Sequence, residues 1–422
     1  MDQFPHWVHT WTAMPMRAEP DNLPPKAFIQ DGIIFPNTTL RQTLKITLGT
    51  ERYLRLRFSN AFGTNDLTIT QTAIALASNN SSGTSDIDSD TLQKVTFDGG
   101  LEKTTIPVSA QAVSDPIDFG VPLPAHTVLS VSLFLEGGHD GEDGITLHPG
   151  SRTTSFCAFG NQVPERTLTD PSVEEVEHWY YISGVEVLAD RESCALAIIG
   201  DSITDGMHST TNGNNRWPDL LFPRLQSNPI TSSISILNQA AGGNRILADG
   251  LGPNVLSRLD RDIISHSGVQ YVLIFEGVND IGVAEANEES QRIIGDRLIA
   301  AYTQIATRVH ARGIPIFAAT ITPFGRRKGE IVIDADAEGF SPYSHPLREV
   351  TRQRINEWIR RTEVFDAIVD FDKILRDKDD TSVLAKEFDS GDRLHPNAKA
   401  FKALADAFPL HIFGSFNFAK FN

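Results

Sequence analysis

Residue types that can act together in acyl transfer recur at four points in the second half of the chain. They are Ser202 within "GDSITDG", Gly243 within "AAGGNR", Asn279 within "GVND", and Asp392 and His395 within "DRLHPN". Serine is a weak nucleophile until a base takes its proton, and histidine suits that role at neutral pH. The set therefore predicts a serine nucleophile with an acid–base partner.

The spacing of the last motif suits the base and the group that orients it. Asp392 and His395 are three residues apart, so the carboxylate can hold the Nδ1 proton while Nε2 faces Ser202. The N–H groups of Ser202 and Gly243 and the side-chain amide of Asn279 supply three donors for an oxyanion. Loss of one such donor typically costs about 2.7–4 kcal/mol of transition-state stabilisation.

Each motif also has a purely structural interpretation. Gly-Asp-Ser is a common turn, Gly-Gly-Asn is a plain loop after a strand, and Asn279-Asp280 can cap a helix. The last motif can simply start a helix, with Pro396 at its first position. Their joint order, each at the carboxyl end of a predicted strand, favours one site over four unrelated turns.

The first half of the chain, which precedes all four motifs, has the pattern of an antiparallel β-structure. Between residues 40 and 190, apolar and polar residues alternate as in half-buried strands, and polar loops rich in Gly and Asp separate them. The predicted strands are 43–49, 52–60, 67–76 and 127–137. Short alternating strands without a long helix predict a β-sandwich.

After residue 192, apolar runs alternate with helical patterns, which predicts parallel βαβ units. The predicted strands are 194–200, 233–240, 269–277, 314–320 and 367–370, and the clearest helices are 288–311 and 344–361. In such a sheet, ligands bind beyond the carboxyl ends of the strands. The candidate residues are therefore expected to meet at one edge of the sheet.

The four motifs together resemble those of the SGNH (GDSL-type) serine hydrolases. The resemblance implies a flavodoxin-like three-layer α/β/α domain over 191–422, with Ser202, Asp392 and His395 as the triad. It also implies Ser202, Gly243 and Asn279 as the oxyanion hole. The segments "NNRWPDLL", "LRQTLKITLG" and "LRLRFSNAFG" are similar to a branch of that family with a jelly-roll-like antiparallel β-sandwich, here over 1–190. One departure is Arg393, which stands where glycine is frequent.

The resemblance implies carboxylic esters as substrates: short acyl groups on sugars, simple alkyl or aryl esters, or lipids. The chain lacks a hydrophobic lid segment, which weighs against long-chain lipids. The long segment 322–344 follows the fourth strand, where this architecture carries substrate-binding loops. We expect substrate contacts at the pocket from Asp201, Phe324, Arg326 and Tyr343. Trp217 is expected to pack in the core.

Other functions stay open at this point. Acyl transfer to an alcohol, or hydrolysis of one narrow class of natural product, would use the same triad. A carbohydrate-binding protein with an inert hydrolase half is the alternative from another class. The chain has neither a G-x-S-x-G elbow nor an H-E-x-x-H zinc pair. The acidic runs 86–90 and 140–144 do not continue into a calcium loop, so no metal and no cofactor are expected.

Bulk properties narrow the class of partner. A chain of 422 residues favours two domains, and a net charge of −17 argues against nucleic acid or an anionic membrane. No run approaches the ~18 apolar residues of a membrane span. The first residues lack a signal peptide, which predicts a cytoplasmic protein, or a secreted one if a signal has been removed. Cys157 and Cys194 either pair or stay as buried thiols.

Overall fold

The computed structural model describes residues 5–141, 144–329 and 343–414. The chain divides into two compact units, and each is described by itself. The first unit comprises Met1–Ala195, Thr210–Asn214 and Ser235–Leu237, and the second comprises Leu196–Ser209, Asn215–Ile234 and Asn238–Asn422. Two short segments of the second half, residues 210–214 and 235–237, thus group with the first unit. The predicted division has a single boundary, between residues 190 and 191. That boundary stays a prediction.

The first unit is built from antiparallel strands. In chain order they are β1 His6–Thr12, β2 Met16–Arg17, β3 Ile29–Gln30, β4 Ile33–Ile34, β5 Thr38–Lys45, β6 Tyr53–Ser59, β7 Leu67–Ile69, β8 Gln71–Ala77, β9 Ile87–Val95, β10 Thr104–Ile106, β11 Gln111–Val113, β12 Ile117–Asp118, β13 Val128–Leu135, β14 His139–Asp140, β15 Thr146–His148, β16 Ser155–Phe159, β17 Glu174–Val176, β18 Trp179–Tyr180 and β19 Ile182–Ala189. Short 3₁₀ turns lie at Pro20–Asn22, Lys26–Phe28 and Ser78–Asn80. One large sheet has the order β1-β19-β6-β11, with β12 also on β6, and the other has the order β17-β16-β5-β13-β8-β9. This arrangement confirms the predicted β-sandwich.

Burial along the strands follows their place in the sheets. In β6, buried residues alternate with partly exposed ones, as the sequence pattern predicts. In β13 all eight residues are buried, including two serines. One of these serines, Ser132, has a buried partner: Arg41 is fully buried and donates to Ser132 Oγ at 2.9 Å and to the Glu165 carbonyl at 2.8 Å. Arg41 thereby ties a covering loop to this sheet, and burial lowers its pKa to about 10.

The predicted strand 67–76 is in fact two strands. β7 pairs with β10, whereas β8 pairs with β13 and β9, so the chain changes sheets between them. The residue at the break, Thr70, donates its N–H to the carbonyl of Phe134 at 2.9 Å. β7 buries its first and last residues, whereas β8 buries four consecutive residues, 72–75. The alternation of apolar and polar residues in the sequence continues through Thr70, so the pattern alone does not reveal the break.

Five strands form the sheet of the α/β part of the chain: β20 Cys194–Gly200, β21 Ile234–Ala240, β22 Val269–Phe275, β23 Ile316–Ala319 and β24 Ala367–Val369. All of this sheet except residues 194–195 and 235–237 belongs to the second unit. Its helices are α1 Ser202–Asp205, α2 Trp217–Gln226, α3 Val255–Leu259 followed by a π turn Asp260–Ile264, α4 Val278–Val283, α5 Glu288–His310, α6 Pro346–Arg361, α7 Phe371–Leu375, α8 Ala398–Ala407 and a 3₁₀ turn Leu410–Gly414. The strand order is β21-β20-β22-β23-β24, and β23 pairs in parallel with both β22 and β24. This is the flavodoxin-like doubly wound order, which confirms the predicted fold class.

The core of the second unit consists of these strands and the apolar faces of its helices. All seven residues of β20 are buried, as expected of a strand covered on both faces. Trp217 is 0% exposed and packs against the rings of Phe371 and Phe408, with centroids 5.2 and 6.2 Å away. The prediction that Trp217 belongs to the core is confirmed.

The two cysteines do not form a disulfide. Cys157 and Cys194 are both buried free thiols, and burial raises the pKa of Cys194 to about 12. Of the alternatives left open by the sequence, the structure has the unpaired one. None of the helices in the described part of the chain is both long enough and apolar enough to cross a bilayer.

Candidate active site

Ser202 lies where β20 ends and α1 begins. Asp201 is the N-cap of this short helix, and its Oδ1 accepts the N–H of Ile203 at 2.9 Å. Ser202 is the first helical residue, so its own N–H has no partner within the helix. The cap therefore presents both the hydroxyl and the N–H of Ser202 at the carboxyl edge of the sheet.

Ser202 and the two other predicted triad residues form a chain of hydrogen bonds. Ser202 Oγ lies 2.7 Å from Nε2 of His395, and Nδ1 of His395 lies 2.6 Å from Oδ2 of Asp392. An ionised carboxylate only accepts hydrogen bonds, so Nδ1 carries the ring proton and Nε2 is left as the acceptor for the serine hydroxyl. The arrangement is that of a nucleophile, its base and the group that orients the base.

The turn around Asp392 keeps its carboxylate ionised. Oδ1 accepts the main-chain N–H groups of Leu394 and His395 at 2.9 and 2.8 Å and the hydroxyl of Ser390 at 3.1 Å. Partial burial alone would raise the pKa of Asp392, but the bonds from the side chain and main chain of His395 outweigh it and hold the pKa far below its usual value. Asp392 is therefore ionised at neutral pH.

The helix after the triad turn starts later than predicted. The N-cap is Asn397, whose side-chain oxygen accepts the N–H of Ala400 at 3.1 Å. The helix α8 therefore begins at Ala398, and Pro396 is not its first residue. Pro396 precedes the cap because the side chain of asparagine can accept a free N–H group at the start of the helix, which proline cannot.

Arg393 has φ +68°, in the left-handed region that favours glycine. Glycine adopts this backbone conformation without strain, which is consistent with the glycine that is frequent at this position in SGNH hydrolases.

Two of the predicted oxyanion donors are placed by specific contacts. The N–H of Gly242 is used by Oδ2 of Asp205 at 3.1 Å, which leaves the N–H of Gly243 as the candidate donor. Gly243 has φ +70°, a conformation that a side chain would strain. Asn279, in the first turn of α4, is 4% exposed and donates one amide hydrogen to the carbonyl of Asn244 at 2.9 Å.

The loop that carries Gly243 is held by buried side chains that the sequence analysis did not single out. Arg258 of α3 donates to Oδ1 of Asn244 at 3.1 and 3.0 Å and to the carbonyl of Gln239 at 2.8 Å. The carboxylate of Asp280 accepts the N–H groups of Ile246 and Leu247 at 2.9 and 3.0 Å. The only signal in the sequence was the position of Asp280 beside Asn279, and for Arg258 there was none.

The four predicted substrate residues occupy different positions. Asp201 and Phe324 are each 1% exposed, so both side chains lie in the interior. Asp201 is instead the cap of α1, and Phe324 packs edge-on against Tyr343, with centroids 6.3 Å apart. Arg326 is partly exposed. Of the predicted substrate loop, residues 330–342 lie outside the described residues.

Tyr343 is the fourth of these residues, and it contacts the candidate oxyanion hole. Its hydroxyl donates to Oδ1 of Asn279 at 2.8 Å. Burial raises the pKa of Tyr343, so the hydroxyl keeps its proton at neutral pH. The Asn279 amide therefore binds the hydroxyl of Tyr343 at Oδ1 and the carbonyl of Asn244 at Nδ2.

His208 is a further neighbour of the triad that sequence reasoning missed. Its Nε2 donates to Oδ2 of Asp392 at 3.1 Å, the same oxygen that accepts from His395. The only signal was its place six residues after Ser202, which does not by itself indicate a contact. Like Arg393, His208 has a left-handed backbone, with φ +66°.

His208, Asp392 and His395 also offer three ligand atoms within 4.8 Å of one another, a spacing that can hold a metal ion. Two of these residues, Asp392 and His395, are already joined by a hydrogen bond from Nδ1 to Oδ2. A metal ion there would compete with the proton that orients the base. The donor set thus fits a cation only at the expense of the triad.

A family model described as GDSL-like lipase/acylhydrolase matches residues 196–408, just over half of the chain. The chain belongs to this family. Membership makes it a carboxylic ester hydrolase, and the match covers every residue of the predicted triad and of the candidate oxyanion hole. A search of curated protein sequences found no match.

Among solved structures, the chain is similar to a GDSL-like lipase and to an acetylxylan esterase. A GDSL-like lipase from Bacteroides thetaiotaomicron is 14% identical, with a TM-score of 0.37 over 54% of this chain and 90% of that one. The acetylxylan esterase Axe2 from Geobacillus stearothermophilus is 18% identical, with a TM-score of 0.37 over 54% of this chain and 98% of that one.

Proposed function

We propose that this GDSL-family hydrolase cleaves esters of short acyl groups, acetyl esters of carbohydrates among them. Ser202 is the nucleophile, His395 the base and Asp392 its orienting carboxylate. Ser202, Gly243 and Asn279 are the oxyanion donors. The observation that carries the proposal is the unbroken hydrogen-bond chain from Ser202 Oγ through His395 to Asp392.

The reaction proceeds in two steps. His395 Nε2 takes the hydroxyl proton as Ser202 Oγ bonds to the ester carbonyl carbon, and the three donors stabilise the resulting oxyanion. His395 then gives the proton to the alkoxide, which leaves as the alcohol while Ser202 is acylated. Water then attacks the carbonyl carbon of the acyl-enzyme while His395 takes its proton. His395 returns this proton to Ser202 Oγ as the acid leaves, which restores Ser202.

The surroundings of the triad support a small acyl group and a polar alcohol. The side chains of His395 and Asp392 are 15% and 39% exposed, so a leaving alcohol at this end of the site stays hydrated. Leu251 packs against Gly243, where a β-carbon would lie 2.5 Å from Cδ1 of Leu251, and is itself 49% exposed. One apolar side chain beside an oxyanion donor suits an acetyl or butyryl group better than a long chain.

The test is hydrolysis of p-nitrophenyl acetate, butyrate and decanoate, with acetylated xylan beside them. We expect the rate to fall from acetate to decanoate and acetate to be released from the xylan. Ser202→Ala should lower kcat by about 10³-fold or more, because it removes the atom that forms the covalent bond.

The matched control is Ser89→Ala, the same change at an exposed position of β9, which should keep the wild-type rate. Full activity in Ser202→Ala would overturn the proposed nucleophile. A preference for decanoate would overturn the short-chain assignment. Faster ester exchange with added alcohol than hydrolysis would favour acyl transfer.

A further inference from the structure

Asn279 can stabilise an oxyanion only in one of the two orientations of its amide. Rotation by 180° about the last side-chain bond exchanges Oδ1 and Nδ2 and would turn a carbonyl oxygen toward the negative charge. The structure holds both ends of this amide. Nδ2 donates to the carbonyl of Asn244 at 2.9 Å, and Oδ1 accepts from the hydroxyl of Tyr343 at 2.8 Å.

We infer that Tyr343 is a positioning residue that orients the Asn279 amide for catalysis; the inference rests on the proposed function. Nδ2 carries two hydrogens, and the bond to Asn244 uses one of them. With Oδ1 bound to the tyrosine hydroxyl, the second hydrogen of Nδ2 is free for the oxyanion. Tyr343 thus acts through Asn279 and needs no contact of its own with substrate.

A second, independent observation supports this role: α4 has a glycine where the tyrosine ring lies. A β-carbon at Gly282 would lie 2.0 Å from Cε1 of Tyr343, far inside van der Waals contact. Glycine inside a helix costs about 1 kcal/mol relative to alanine. The helix that carries Asn279 therefore gives up helix propensity at the place where the ring must pass to reach the amide.

The hydroxyl is placed to donate, not to accept. The Asn279 atom it meets is Oδ1, because Nδ2 is directed to the carbonyl of Asn244, which can only accept. The amide of Asn279 is 4% exposed, and the partly buried ring of Tyr343 packs against Phe324, which is 1% exposed. A hydrogen bond in such surroundings has little competition from solvent.

The experiment is a double-mutant cycle on kcat for p-nitrophenyl acetate with Tyr343→Phe and Asn279→Ala. Tyr343→Phe keeps the ring and removes only the hydroxyl. We expect kcat to fall about 5- to 20-fold with KM changed less than about twofold, since an oxyanion donor acts in the transition state. Asn279→Ala should lower kcat by about 10²-fold, and adding Tyr343→Phe to it should cost nothing more.

Two further variants control the cycle. Gly282→Ala displaces the ring and should lower kcat as Tyr343→Phe does, again with no added loss in the Asn279→Ala background. Tyr53→Phe, the same change on β6 of the first unit, should leave kcat unchanged.

An unaltered kcat in Tyr343→Phe overturns the inference, as does an equal loss in both backgrounds, which would mean that the hydroxyl acts elsewhere. A change confined to KM would assign Tyr343 to substrate binding. Ester hydrolysis that survives Ser202→Ala overturns the proposed function, and this inference with it. Loss in Ser202→Ala together with a normal Tyr343→Phe overturns this inference alone.

Discussion

At the scale of single residues, the local sequence assembles the proposed base and the carboxylate that orients it. Asp392 and His395 belong to one turn, and the carboxylate binds the main chain of that turn as well as the imidazole ring. The turn would therefore present the pair in the same way wherever the fold placed it. His208 reaches the same carboxylate from a distant part of the chain.

We predict that His208→Ala and Asp392→Asn differ strongly in effect. In His208→Ala, Asp392 keeps its bonds to the His395 ring, two main-chain N–H groups and the Ser390 hydroxyl, so kcat should fall less than about tenfold. In Asp392→Asn, the amide cannot hold the required tautomer of His395, and kcat should fall by about 10⁴-fold.

The measurement is kcat on p-nitrophenyl acetate for both variants, with melting temperatures to verify folding. Ser390→Ala, which removes one other donor to Asp392, serves as the comparison for His208→Ala. A loss in His208→Ala as large as that in Asp392→Asn would give His208 a direct part in the chemistry.

At the scale of elements, the candidate oxyanion hole depends on how helices hold the loop after β21. Arg258 of α3 and Asp280 of α4 bind this loop from two sides, and both side chains are at most 2% exposed. Burial lowers the pKa of Arg258 and raises that of Asp280 to about 6. The loop thus owes its shape to polar groups that are costly to bury without partners.

We predict that Arg258→Met lowers both stability and kcat. The change leaves Oδ1 of Asn244 and the carbonyl of Gln239 buried without their donor, which should cost about 3 kcal/mol of unfolding free energy. Because Asn244 in turn holds Asn279, the loosened loop should also lower kcat.

Arg41→Met is the matched control, since Arg41 is an equally buried arginine of the first unit. It should lower the melting temperature without changing kcat at temperatures where the protein stays folded. An equal kcat in Arg258→Met and Arg41→Met would show that the contacts of Arg258 do not contribute to catalysis.

At the scale of the whole molecule, the stability depends on pH through buried carboxyl groups, some with a raised pKa and some with a lowered pKa. Burial raises the pKa of Asp201 to about 7, and burial also raises that of Glu276, whose carboxylate oxygens have no partner among the described residues. Burial would also raise the pKa of Glu186, but bonds from Arg55 and the charges of His9 and Arg57 outweigh it and lower the pKa far below its usual value.

We predict that Asp201→Asn becomes more stable relative to wild type as the pH rises. Between about pH 4 and pH 7, folded Asp201 holds a proton that the unfolded chain has lost, since an unperturbed Asp has a pKa near 3.9. The stability linked to this proton is complete below about pH 4 and is lost as the pH rises through 7. The difference between the two proteins should change by up to about 1.4 kcal/mol per pH unit in this window.

Melting temperatures of both proteins from pH 4.5 to 7.5 check this, and asparagine remains a good N-cap for α1. Glu186→Gln is the control with the opposite sign. The lowered pKa of Glu186 contributes stability above about pH 4.3 that is lost in acid, so its cost should be largest at neutral pH. A pH-independent difference for Asp201→Asn would contradict the raised pKa.

The amino-acid sequence by itself determined the two kinds of architecture and the candidate chemistry. Period-2 alternation predicts the sandwich strands, continuous apolar runs predict the parallel sheet, and four short motifs predict the triad and its donors. These features are readable because each depends on neighbours along the chain. Asp392 and His395 are the clearest case, since one turn builds their contact.

Only the tertiary structure decided which groups support those residues. It divided the strand pattern at Thr70 and placed Asp201 and Phe324 in the interior. It brought His208 and Arg258 to the site and joined the hydroxyl of Tyr343 to Asn279. It also gave the N–H of Gly242 to Asp205, which leaves that of Gly243. Such contacts join atoms far apart in the chain, and a hydrogen bond depends on distance and angle in the folded protein, so no local pattern records them.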